Sequence, residues 1–124
     1  MKRTKSTLLL CCALFCLSSF YETPSQNEFA CNVYVPNAFS PNDDGVNDVF
    51  QANIGCSVTE FDLRVFNRWG QMVFSSQNPE DGWDGTMKGE PALSAVYVYL
   101  LQVSFDQEGD VKREMKTGDV ALIR

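Results

Sequence analysis

The sequence predicts an all-β domain, an antiparallel sandwich of about seven short strands, and three observations carry that prediction. From Cys31 onward, apolar and polar residues alternate with period two, which turns one row of side chains towards a core and the other towards water. Gly, Pro, Asn and Asp interrupt the alternation at short intervals, as turns between short strands do. Beyond the first 18 residues no window carries a convincing helical apolar stripe. A chain of 124 residues has room for one such core.

The elements follow in order. Met1-Lys2-Arg3-Thr4-Lys5 is a basic start, Leu8 to Leu17 is almost wholly apolar, and Ser18-Ser19 offers small residues for cleavage. That is the pattern of a secretory signal peptide over residues 1–18. An apolar run of roughly ten residues falls short of the ~20 that a membrane-crossing helix needs. Lipid attachment at Cys16 is a weaker alternative, because the large residues Leu14 and Phe15 precede it. Residues 19–30 are polar, carry Pro24 and read as a short linker, with no room for a cargo domain before the sandwich at residues 31–124.

Within the domain, Val33 and Val35 alternate with Asn32 and Tyr34 until Pro36 ends the run. Phe61, Leu63 and Val65 alternate with Asp62 and Arg64, Asn67-Arg68-Trp69-Gly70 turns, and Gln71 to Ser75 returns, which predicts a hairpin. Ala95 to Asp106 is the strongest strand, with Tyr97, Tyr99, Leu101, Val103 and Phe105 on one face. Val96, Val98 and Leu100 on its other face predict burial on both sides for the first half. Glu108-Gly109-Asp110 turns the chain into Val111 to Lys116, and Gly118-Asp119 separates that strand from a final one, Val120 to Arg124.

Charge and cysteine content narrow the function classes. Lys2, Arg3 and Lys5 leave with the leader and no acid does, so ten basic residues fall to seven against 16 acidic ones, about −9. That balance repels phosphate backbones and anionic lipid, which argues against nucleic-acid binding and against membrane insertion after cleavage. Cys11, Cys12 and Cys16 leave too, and the remaining pair, Cys31 and Cys56, is expected to form a disulfide in an exported chain. Its loop of about 25 residues is worth roughly 3.5 kcal/mol on the chain-entropy account. Two free thiols are the alternative.

Catalytic constellations find little support. The chain has no histidine, which removes Ser-His-Asp and Cys-His arrangements and the usual zinc sites. There is no phosphate-cradling glycine loop. The carboxylates of Asp43, Asp44, Asp48, Asp81 and Asp84 all fall in turns, so a glycosidase pair is not expected. The densest polar cluster, Pro41 to Asp48, reads in two ways. Asn42, Asp44, Asn47 and Asp48 could supply oxygens to calcium, or the same side chains could bond their own backbone in a turn. Trp69 and Trp83 lie in turns, where an indole serves as core or, if exposed, as a platform for sugars.

Six motifs in order resemble one family. They are Val35-Pro36-Asn37-Ala38-Phe39-Ser40-Pro41-Asn42, Asp44-Gly45-Val46-Asn47-Asp48, Phe66-Asn67-Arg68-Trp69-Gly70 with Val73-Phe74, Trp83-Asp84-Gly85, Tyr97-Val98-Tyr99, and Gly118 to Arg124. Together they are similar to the gliding motility-associated C-terminal domain, the type B sorting domain of the type IX secretion system in Bacteroidota. One departure is Asp43, which stands where that family usually has a glycine. The resemblance implies an immunoglobulin-like sandwich, export through Sec, recognition by the type IX translocon, and retention at the cell surface on a PorP/SprF-like outer-membrane barrel. It implies no enzyme activity. Such domains usually end a long adhesin or enzyme. A stand-alone barrel partner, a subunit of a larger surface assembly and a gene remnant are therefore all compatible with this sequence.

Partner contact is expected at Arg68 and Trp69 and at the chain end. There Leu122 and Arg124 close a strand apolar on both faces, whose edge could pair within its own sheet or with a partner. A free-standing adhesion or carbohydrate-binding module, with Trp69 or Trp83 stacked on sugar, is the competing class.

Overall fold

The computed structural model describes residues 31–124. The leader expected over residues 1–18 and the linker over 19–30 lie outside the described residues. Nine strands follow in order: β1 (Val33–Tyr34), β2 (Ala38–Phe39), β3 (Asn53–Ile54), β4 (Glu60–Phe66), β5 (Met72–Ser76), β6 (Thr86–Met87), β7 (Glu90–Pro91), β8 (Ala95–Gln107) and β9 (Asp110–Leu122). The described chain is all-β, as expected. Four strands are long and five are two-residue pieces, so the count exceeds the seven that the alternation suggests.

One five-stranded sheet, in the order β2-β9-β8-β4-β5, forms the first layer. Its backbone is the β8–β9 hairpin, paired without interruption from Ala95↔Leu122 to Gln107↔Asp110. The expected hairpin between β4 and β5 is present. The second layer is assembled from the β1–β3 pair, the β6–β7 pair and an isolated bridge between Phe50 and Trp83.

Tyr97, Tyr99, Leu101, Val103 and Phe105 are all buried, the face that the alternation of β8 predicts. The opposite face departs from expectation. Val96 and Val98 are 54% and 43% exposed, because the second layer covers only the inner side of the sheet.

β9 corrects a second expectation. Gly118-Asp119 does not break it, and the strand runs continuously for 13 residues. Gly118 lies opposite Tyr99, and a Cβ at that position would sit 2.9 Å from the tyrosine ring. The glycine makes room for an aromatic ring across the ladder and does not mark a turn. Nor is the end of β9 an edge. It lies between β8 and β2, pairing with β2 in parallel through Ala38↔Ala121 and Phe39↔Leu122. That parallel pair is the exception to the expected antiparallel arrangement.

Cys31 and Cys56 are joined, with their Cα atoms 5.1 Å apart. The bond clamps the start of β1 to the segment after β3, beside the register Val33↔Ile54. Lys116 of β9 donates from Nζ to the carbonyl of Val33 at 2.6 Å, tying this small pair to the large sheet.

Candidate functional site

The motif-bearing segments, far apart in sequence, meet at one end of the sandwich. Beneath them lies a cluster of aromatic rings. Phe39 stands 5.3 Å from Trp83 and 6.1 Å from Phe50, Phe50 stands 5.6 Å from Tyr99, and Trp83 meets Tyr97 edge-on at 4.9 Å. Such tilted and edge-to-face pairs are the arrangements aromatic quadrupoles favour. Trp83 is 1% exposed, and its indole donates from Nε1 to the Thr86 carbonyl at 2.7 Å. It belongs to the core, leaving Trp69 as the exposed indole.

Above this cluster runs the loop from Pro41 to Asp48. One carboxylate organises it: Asp48 accepts from the backbone N–H groups of Asn42, Asp43 and Gly45 at 3.1, 2.9 and 2.7 Å. Asn42 Oδ1 accepts from the N–H of Asp44 at 3.1 Å, and Asp44 Oδ1 from that of Val46 at 2.8 Å. Asn47 accepts through its main-chain carbonyl from the Ser40 N–H. The four residues expected as calcium ligands thus serve the turn in this conformation. Among the described residues no group of three or more Asp, Glu, Cys or His side chains is arranged to hold a metal. Asp43, the departure from the glycine pattern, adopts φ 61°, a left-handed conformation that aspartate tolerates better than most residues.

The turn at Trp83-Asp84-Gly85 is pinned from several sides. Asp84 Oδ1 accepts from the Thr86 hydroxyl at 2.6 Å and from its N–H at 2.9 Å. The Thr86 hydroxyl bond holds the Asp84 carboxyl below the usual carboxylate range, burial opposes that, and the charge of Arg124 assists it. Gly85 has φ +82°, and a Cβ there would meet Arg124 Nη2 and Pro41 Cγ at 3.1 Å and Leu122 Cδ1 at 3.2 Å. Only a residue without a side chain fits so crowded a left-handed position.

Arg124 closes this end. It donates from Nη2 to the Gly85 carbonyl at 2.8 Å and from Nε to the Ala92 carbonyl at 3.2 Å, while the Ala92 N–H bonds the same Gly85 carbonyl at 2.8 Å. The guanidinium therefore clasps the two ends of the β6–β7 excursion. Leu122, expected at a partner surface, is 2% exposed and belongs to the core. In the alternation at the end of β9, Val120 and Leu122 face the core while Ala121 lies between them on the other face, which corrects that expectation.

The Asn67–Gly70 turn lies alongside. Asn67 Oδ1 accepts from the N–H groups of Trp69 and Gln71, both at 2.9 Å, and its Nδ2 donates to Gln71 Oε1 at 3.1 Å. The backbone is fixed while the side chains of Arg68 and Trp69 point outward. Between this turn and the segment 87–97 opens a cleft of about 520 Å³, lined by Arg68, Trp69, Val73, Met87, Pro91 and Leu93, with Glu90 beside them. Tyr97 forms part of its wall and donates its hydroxyl to the Leu93 carbonyl at 2.7 Å. Burial pushes that hydroxyl above its ordinary range, and the charges of Arg124 and Arg68 both pull against it, so both arginines bear on one spot.

The structure thus brings Arg68, Trp69 and Arg124 to one end and leaves the disulfide beside β1 and β3. Sequence reasoning missed Leu93, which is 81% exposed, and the clasp of Arg124 on the 85–92 excursion. Pro91-Ala92-Leu93, an apolar run outside any alternating strand, was the available signal for the first.

A small all-β domain with a fixed, mostly apolar cleft at one end offers a concave surface of the kind that binds ligands. The pattern of the CHU_C type IX secretion signal domain matches residues 33–122. The chain belongs to that family, as its six motifs suggest. The family is a sorting module for type IX secretion and not a catalytic one, and membership implies export to the cell surface or beyond. No curated protein matches the chain, and no solved structure does.

Proposed function

We propose that the end built from Arg68, Trp69, the 85–93 excursion and Arg124 is the surface read during type IX secretion. On this reading the translocon recognises that surface, and a PorP/SprF-like outer-membrane barrel holds the domain there afterwards. What supports this is convergence. Motifs spread from Val35 to Arg124 meet at one end, and two of them, through Arg68, Trp69 and Val73 and through Tyr97, line a cleft whose most exposed large apolar side chain is Trp69, at 82%.

The test is a reporter carrying this domain in a cell with an active type IX system. Arg68→Ala with Trp69→Ala is expected to leave the domain folded and disulfide-bonded but to trap the reporter in the periplasm. Normal surface display of that double variant would sink the reading. The exposed indole also favours a second reading, a carbohydrate-binding surface module. Glycan binding lost on Trp69→Ala without any loss of export would favour it.

A further inference from the structure

We propose that the cleft beside Arg68 and Trp69 takes an extended protein segment in which an aspartate or glutamate stands next to an aromatic or large aliphatic residue. The carboxylate would pair with Arg68 and the apolar neighbour would lodge between Trp69 and Leu93. This rests on the reading of the same end as the recognition surface, and gives its partner a chemistry.

The apolar half of the argument is exposure. Trp69 and Leu93, at 82% and 81%, are the two most exposed large apolar side chains among the described residues, and they flank one cleft. Val73, Met87 and Pro91 continue the lining, and Val96 carries it onto the uncovered outer face of the sheet. About 520 Å³ is the scale of a site for a few side chains, not for a folded domain. Asn67 holds the backbone of Trp69 in place beforehand, so ordering that turn costs a ligand little.

Charge supplies the polar half. The chain is acidic, at −6 overall, and the ion pairs among its described residues are Arg64 with Asp62 and Lys116 with Glu114. Arg68 takes part in neither. Arg124 is engaged by two carbonyls, which accept its hydrogen bonds without neutralising its charge. Of the acids nearby, Asp84 is held by Thr86, and Glu90 is the one carboxylate among the lining residues of the cleft. An acidic segment is therefore repelled by most of the molecule, and Arg68, the one cation among the lining residues and outside both ion pairs, is the point where its carboxylate can pair. A sugar would instead need several free hydrogen-bonding groups, and the amide of Asn67 is already committed to Gln71.

The probe is a labelled decapeptide of alternating aspartate and phenylalanine, compared with versions carrying asparagine or lysine in place of aspartate, titrated against the secreted chain. The acidic peptide is expected to bind about tenfold more tightly than the asparagine version, to weaken with salt, and to lose about tenfold on Arg68→Gln. Trp69→Ala should abolish binding, with Leu93→Ser as the alternative if that variant fails to fold. Equal binding of all three peptides, or an unchanged affinity in Arg68→Gln, would overturn the proposal. A concentration-dependent dimer abolished by Trp69→Ala would overturn it too, since the occupant would then be a second copy of the chain. The export assay separates this idea from the reading beneath it. If display requires Trp69 but the acidic peptide does not bind, the chemistry falls and the recognition surface stands. If the peptide binds through Arg68 while the double variant is displayed normally, the reverse holds.

Discussion

Two tryptophans sit in two turns of similar composition, and the turns differ in what lies behind them. Trp83 has the aromatic cluster of Phe39, Phe50 and Tyr97 at its back, its indole N–H satisfied by Thr86, and 1% of its surface in water. Trp69 stands on a turn that the Asn67 side chain fixes without using the indole, and 82% of its surface is exposed. The lesson is that a turn can be held together by its side chain or independently of it. Only in the second case is the side chain free for other work.

The largest effect that could break this contrast is in the core. Trp83→Ala is expected to cost about 3–5 kcal/mol, as removal of a buried aromatic does, measured by urea unfolding of the oxidised domain. A loss below about 1 kcal/mol would mean that the ring is not the keystone described. A third turn sharpens the comparison. Asp48→Ala removes the acceptor of three N–H groups and should cost about 1–2 kcal/mol. On the turn reading of that loop, millimolar calcium leaves the melting temperature of the native chain unchanged relative to chelator. A rise of several degrees would instead assign the Asn42, Asp44, Asn47 and Asp48 oxygens to a cation.

A smaller effect tests the pinning of the Trp83 turn. The Asp84 carboxyl is lowered in the folded state, chiefly by the Thr86 hydroxyl, so its contribution is complete above the unfolded value near 3.8. It is lost as pH falls through the folded value. Below about pH 4 the native chain should therefore lose stability more steeply than Asp84→Asn. Parallel acid titrations would show that carboxyl to be irrelevant. Smallest of all is Trp69→Ala, expected within about 0.5 kcal/mol of the native chain. A larger loss would erase the distinction between the two turns.

How much of this was legible in the sequence depended on how local the cause was. The inward row of β8 could be read residue by residue, because alternation is set by the backbone of a single strand. The exposure of Val96 and Val98 could not, since it depends on whether a second layer covers that face. Gly118 misled for a related reason: its absent side chain answers Tyr99 across the ladder, and nothing next to it in the sequence says so. β2, β3, β6 and β7 went unseen because two-residue pieces such as Thr86-Met87 and Glu90-Pro91 carry no periodicity to detect. The cysteine pairing needed only parity. Of the cleft end, Arg68 and Trp69 were visible as a motif, whereas their meeting with Leu93 and Arg124 is a product of the folded chain.

The placing of β9 also sets a timetable. Ala38 finds its parallel partner in Ala121, 83 residues later, and β2 has no other strand to join in that sheet. Contacts so distant along the chain are formed late and slowly. Until residue 122 has been delivered, β2 waits unpaired and the Phe39–Leu122 seam of the core stays open. The β8–β9 hairpin is local and needs no such wait, so the long-range closure of the sheet falls on the seam where β2 meets the outer side of β9.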